Sequence, residues 1–226
     1  SILGLYFLAG KIFNEKIALL ASFFMAISPW HIQYSRASFE VTMLLSFMII
    51  ATYFFIQGLE KKNLLILSAI IFALTPYIYS TATVFTPLLI LILLVIFRDK
   101  LIKNLTFLII ALFAMVFILI PYGTNTLSGK AGERFNIIGI FGNKDLQEKV
   151  FFAQKNEKLS FNLQRFFHNK PLTFAQAFSQ NYLRSYSPEF LFLSGDPNFR
   201  HSIHEMGQMY LFELVLLLVG VWVLWK

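Results

Sequence analysis

The sequence predicts an all-α membrane protein: a polytopic helix bundle of about seven membrane helices with a large, partly helical extracytoplasmic loop. Three observations point there. Of 226 residues, 57% are hydrophobic and only 14% charged, whereas a soluble domain carries about 25% charged residues. Mean hydropathy is +0.66. The apolar residues also gather in runs approaching the roughly 17–25 residues that cross a bilayer, with prolines and charges between the runs.

The runs follow in order. Ile2–Ala9 reads as the tail of a helix that starts before Ser1, so the chain is expected to be a piece of a longer protein. Ile17–Ile27 is the second, closed by Ser28-Pro29. Phe39–Leu59, Leu64–Tyr77 and Ala82–Phe97 come next, then Leu105–Ile120, expected to stop at Pro121, and Met209–Trp225. The domain reading is residues 1–121 as membrane helices, 122–207 as an extracytoplasmic loop or cap, and 208–226 as the last helix. At about 85 residues, that segment exceeds ordinary loop lengths severalfold and is too polar for lipid. Gly123–Gly142 reads as irregular, while Lys144–Lys155 and Leu172–Leu183 have helical apolar spacing.

Orientation follows from loop charge, because cytoplasmic loops collect Lys and Arg. Lys11, Lys16, Lys61, Lys62, Arg98, Lys100, Lys103 and Lys226 fall in one alternating set, and only Arg36 in the other set of short loops. The stretch Ser28–Glu40 (SPWHIQYSRASFE), the Tyr77–Thr81 turn and the long segment therefore share the outer face. The +7 charge is spread among loops, a pattern that sets topology and forms no nucleic-acid patch. With no Cys there is no thiolate metal site.

Ionisable residues beside hydrocarbon are costly and mark sites by default. Arg36 and Glu40, four apart, are expected on one face of the third helix. The pair could serve structure alone. In a functional role, the Arg36 fork suits an anionic phosphate, and Glu40 a base or hydroxyl orienter. His31, His168, His201 and His204 all fall on the outer side. In His201–Glu205 (HSIHE), imidazoles at i, i+3 can share a helical face, which allows a divalent metal at His201 and His204; surface histidines are the plainer account. Asp196 and Arg200 flank them and suit phosphate or sugar hydroxyls, Asp196 also a simple turn. Tyr77 and Tyr79 end the fourth helix, as belt residues or substrate contacts. Glu213, about one turn into the last helix, must face protein or water.

The residues LAGKIFNEKIALLASFFMAISPWHIQYSRASFE resemble the second and third membrane helices of bacterial GT-C glycosyltransferases of the protein-mannosyltransferase and aminoarabinose-transferase superfamily. FFHNKPLTFAQAFSQNYLRSYSPEFLFLSGDPNFRHSIHEMGQMYLFEL is similar to the outer segment before a later helix of that family. The resemblance implies transfer of a sugar from a polyprenyl-phosphate carrier to a glycan, lipid or protein acceptor on the extracytoplasmic side. It implies a main catalytic acid in a first outer loop, expected before Ser1, with Glu40 as a second acid. Relatives carry an arginine where this chain has Thr83. Physically, cations at the site (Arg36, Arg200, the histidines including His31) would stabilise the leaving phosphate. A transporter or flippase for lipid-linked sugars, or a noncatalytic binder of them, is the alternative. A transporter should show repeats and mid-membrane charges, and neither is evident.

Overall fold

The computed structural model describes residues 1–127, 170–198, 200–203 and 206–225. Among these there are helices and turns and no strand. The chain divides into two compact units: Ser1–Gly123 with Phe192–Lys226, and Thr124–Leu191.

The first unit begins with α1 (Ile2–Ile12) and α2 (Glu15–Ile27). Asn14 caps α2, its side-chain oxygen accepting the Ile17 N–H at 3.0 Å, which is why α2 starts earlier than its apolar run. Ser28–Glu40, read as a polar passage, is largely helical. Pro29–Arg36 forms α3 with Pro29 at its first turn, where the fixed φ of proline suits helix entry. α2 and α3 meet at a bend of 58°.

α3 does not run into α4 (Glu40–Gly58). Ser38 adopts φ +52°; its N–H bonds the Ser35 carbonyl, and the Phe39 N–H bonds the Tyr34 carbonyl, each at 3.2 Å. These are the paired bonds of a Schellman stop, with Tyr34 and Phe39 as its apolar contact, rings 5.3 Å apart. The expectation that Arg36 and Glu40 share one helical face is thereby overturned, since a left-handed residue separates them.

α4 packs against α1 and along α5 (Asn63–Ile78), and α5 against α6 (Ala82–Ile96). Leu44, Met48 and Phe55 of α4 meet Leu65 and Phe72 of α5 in the core. Gly58 is required where α4 turns into α5, because a Cβ there would lie 2.7 Å from the Leu65 backbone nitrogen. Three buried hydroxyls of the core are engaged: Ser68 donates to the Ala51 carbonyl at 2.8 Å, and Thr75 and Thr86 bond each other at 2.7 Å. Thr75 also donates to the Phe72 carbonyl at 2.7 Å, the acceptor that Pro76 leaves without its helical N–H.

A short α7 (Arg98–Ile102) leads to α8 (Leu105–Leu127). α8 passes through Pro121 instead of ending there, and Gly123–Leu127, expected to be irregular, is helical. The second unit contains α9 (Lys170–Ser185), which covers the Leu172–Leu183 periodicity. Lys144–Lys155 and the rest of Gly123–Gly142 lie outside the described residues. α10 (Leu211–Trp225) returns to the first unit. At its start the Glu213 carboxylate accepts the Tyr210 N–H at 2.8 Å, so this acid caps its own helix.

By length and composition, α4 and Leu105–Thr126 of α8 can each cross a membrane, and α2 with α3 makes a third, bent candidate. α1, α5, α6 and α10 are apolar but shorter. α8 and α10 present large exposed apolar side chains, among them Phe113 at 75% and Leu224 at 81%. Such surfaces are stable against lipid and costly in water. The chain is a helical membrane protein.

Candidate active site

The site is built where α3 meets the segment preceding α10, all within the first unit. Two anchors hold them. The buried Gln208 turns its carbonyl to the N-terminus of α3, accepting the Trp30 N–H at 3.2 Å and the Ser28 hydroxyl at 3.5 Å. One turn on, the Gln33 side-chain amide donates to the Arg200 carbonyl at 3.4 Å.

Between these anchors the His201 ring lies in an aromatic clasp. Tyr34 stacks on it at 5.7 Å and 24°, and Phe39 meets it edge-on at 5.6 Å and 69°. Both rings are delivered by the Schellman stop, so the break that separates Arg36 from Glu40 also forms the receptor for His201.

The Gly195–Ser202 loop is self-bonded. Asp196 accepts the Asn198 N–H on Oδ1 at 2.8 Å, and its backbone carbonyl accepts the Ser202 hydroxyl at 2.7 Å. Asn198 Oδ1 accepts the Arg200 N–H at 3.1 Å. Gly195 sits at φ +69°, and a Cβ there would lie 2.9 Å from the Met206 carbonyl oxygen. Asp196 Oδ2 then reaches to 3.5 Å from His201 Nδ1.

Of the expected site residues, Asp196, Arg200 and His201 are thus gathered at α3, whose last residue is Arg36 and which Glu40 follows. Arg36, Glu40 and Arg200 are exposed, and among the described residues their charged groups have no hydrogen-bond or ion-pair partner. Tyr79 is exposed. His31 is directed elsewhere: it is buried, and its Nε2 lies 2.7 Å from the Ser1 hydroxyl.

Tyr77 is also committed elsewhere. Its hydroxyl donates to the Ile118 carbonyl at 2.6 Å and accepts the Tyr122 N–H at 3.1 Å. Those two groups would bond each other in an unbroken helix; the phenol bridges them beside Pro121. Thr83, where the resemblance anticipates an arginine, bonds the Tyr122 hydroxyl at 2.7 Å.

For a metal, no three His, Asp or Glu side chains converge among the described residues. His201 lies in a turn and not on a helix, so the shared helical face expected for the histidines does not form there. His168 and His204 lie outside the described residues. Sequence reasoning missed Tyr34, Phe39 and Gln33, which position the loop. The available signal was an aromatic residue on each side of Arg36–Ser38, at the spacing of a Schellman contact.

No curated protein and no solved structure matches this chain. Residues 1–122 match the family model described as dolichyl-phosphate-mannose-protein mannosyltransferase. That match spans α1 through most of α8 and includes α3, Arg36 and Glu40. The chain therefore belongs to the dolichyl-phosphate-mannose-protein mannosyltransferase family, membrane glycosyltransferases of the GT-C type.

Proposed function

We propose that this protein moves a sugar from a polyprenyl-phosphate-linked donor to a glycan, lipid or protein acceptor on the extracytoplasmic face of a cell membrane. In this reading about seven helices cross the bilayer, residues 122–207 form the outer cap, and residues 208–226 the final helix. The observation that carries the proposal is the docking of Arg200 and His201 onto α3 within a chain of this family. It brings a second cation to the region where α3 ends in Arg36 and α4 begins with Glu40.

The chemistry divides among these groups. Breaking a sugar–phosphate bond leaves negative charge on the phosphate, and the guanidiniums of Arg36 and Arg200 stabilise it. Glu40 orients or deprotonates the acceptor hydroxyl. Asp196, His201 and Tyr79 bind sugar hydroxyls. A divalent metal, if used, would draw on His201 and His204.

A transporter of lipid-linked sugars would draw support from the 58° break between α2 and α3. That break, however, leads into a helix ending in Arg36, and the charges of α2, Glu15 and Lys16, lie in its first turn and not beside the break. The test is transfer from a polyprenyl-phosphate sugar by the full-length protein. Glu40→Gln is expected to slow turnover by about a hundredfold or more, and Arg36→Ala and Arg200→Ala to reduce it while weakening donor binding. Wild-type rates in all three at normal expression would assign these residues to structure. Cysteines at Ser35 and Asn198, both exposed, should react with an impermeant reagent added from outside; labelling only from the cytoplasm overturns the orientation.

A further inference from the structure

At the end of α4 remote from Glu40, α1, α2 and α4 enclose a groove of about 310 Å³. Tyr6, Phe7, Lys11, Glu15, Tyr53 and Gln57 line it. Tyr6 meets Phe7 edge-on at 5.5 Å, and Phe7 meets Tyr53 at 6.0 Å, so three rings form one continuous wall. Gln57 fixes the Tyr53 hydroxyl through a 3.1 Å hydrogen bond.

The charges in the groove are unequal. Lys11 is held by both carboxylate oxygens of Glu60, at 3.0 and 2.9 Å, and its charge is already met. Glu15 is exposed, and its carboxylate has among the described residues only the Tyr6 hydroxyl, at 3.4 Å. What remains is one unmatched carboxylate beside three aromatic rings, which is the chemistry that holds an organic ammonium. The surroundings favour a lipid as its source. Leu3 and Ile12 of α1 and Phe13 just after it are exposed for acyl chains, and the exposed Lys61 and Lys62 follow Glu60 in the neighbouring turn, suited to a phosphate.

We propose that this groove binds the headgroup of an aminophospholipid of the phosphatidylethanolamine type, its ammonium against Glu15 and the rings of Tyr6, Phe7 and Tyr53. The inference does not rest on the sugar-transfer reading. It is tested on the full-length protein in detergent, by native mass spectrometry during titration with phosphatidylethanolamine, phosphatidylglycerol or free ethanolamine. Phosphatidylethanolamine is expected to bind more tightly than either of the others, and Glu15→Gln to weaken it by about tenfold, as expected for losing a charge-assisted bond. Tyr53→Leu should produce a loss in the same direction, and it tests the ring wall separately if Glu15→Gln does not fold. Equal binding of phosphatidylethanolamine and phosphatidylglycerol overturns the ammonium assignment, as does unchanged affinity in a folded Glu15→Gln or Tyr53→Leu protein. Free ethanolamine binding as tightly as the lipid overturns the lipid assignment.

Discussion

The Tyr34 ring stacks on the His201 ring at 5.7 Å, joining the helix after the α2 bend to a loop more than 160 positions later. With Phe39 on the other side, this contact decides where Asp196 and Arg200 are held. Stacked aromatic pairs contribute about 0.5–1.5 kcal/mol beyond their buried area. Tyr34→Leu should therefore destabilise by about that amount and depress sugar transfer, while Tyr34→Phe keeps most of both. Thermal unfolding in detergent, run beside a transfer assay, checks this. Full activity in Tyr34→Leu would detach the clasp from function.

Ser38 holds a left-handed conformation that L-residues adopt at a cost. Ser38→Gly should retain the Schellman stop and gain about 1 kcal/mol or less. Ser38→Val should lose stability and loosen the clasp, because its branched Cβ resists positive φ. Comparing melting temperatures of the two variants measures the strain directly.

Gly195 leaves less room. At φ +69° with the Met206 carbonyl 2.9 Å from a would-be Cβ, Gly195→Ala should cost at least about 1 kcal/mol and shift the loop carrying Asp196. Faster proteolysis or amide exchange across 196–203 would report the shift. Exchange identical to wild type would show that the loop tolerates the side chain.

Tyr77 separates a packing role from substrate binding. Tyr77→Phe removes the bridge between the Ile118 carbonyl and the Tyr122 N–H, a loss of about 1–3 kcal/mol if those groups stay unsatisfied. The expected signature is a lower melting temperature with an unchanged KM for the donor. A raised KM at unchanged stability would return Tyr77 to the substrate site.

The Lys11–Glu60 pair joins the ends of α1 and α4, and its pH dependence has a defined sign. The hydrogen bond from Lys11, with its charge, lowers the Glu60 pKa. A depressed carboxylate pKa contributes stability that is present above the unfolded value and lost as pH falls through the folded one. Wild type should thus lose its small advantage over Lys11→Met on acidification below about pH 4, and also in high salt, since the pair is exposed. Parallel melting curves of the two proteins against pH provide the measurement.

Much of the molecule is readable along the chain. Helix α5 spans Asn63–Ile78 and α6 Ala82–Ile96, each within a residue or two of its apolar run, because hydrophobic continuity and breakers act between neighbours. Membrane character follows from composition, and the resemblance around SPWHIQYSR agrees with the family match over residues 1–122. Arg36 is recognisable as a candidate site residue from charge beside apolar runs, and Asp196 and Arg200 from their place flanking His201 and His204. What they touch is not. Gln33 and Arg200, bonded here, are 167 positions apart, and no local pattern records such a pairing. Nor does helical spacing report that Ser38 turns left-handed between Arg36 and Glu40, or that the Tyr77 phenol carries the ladder of α8 past Pro121. By itself the sequence determined a helical membrane protein, its family and the charged groups available for chemistry. The tertiary structure alone decided which of them meet, because those meetings depend on backbone hydrogen bonds and ring contacts that exist only once distant segments have packed.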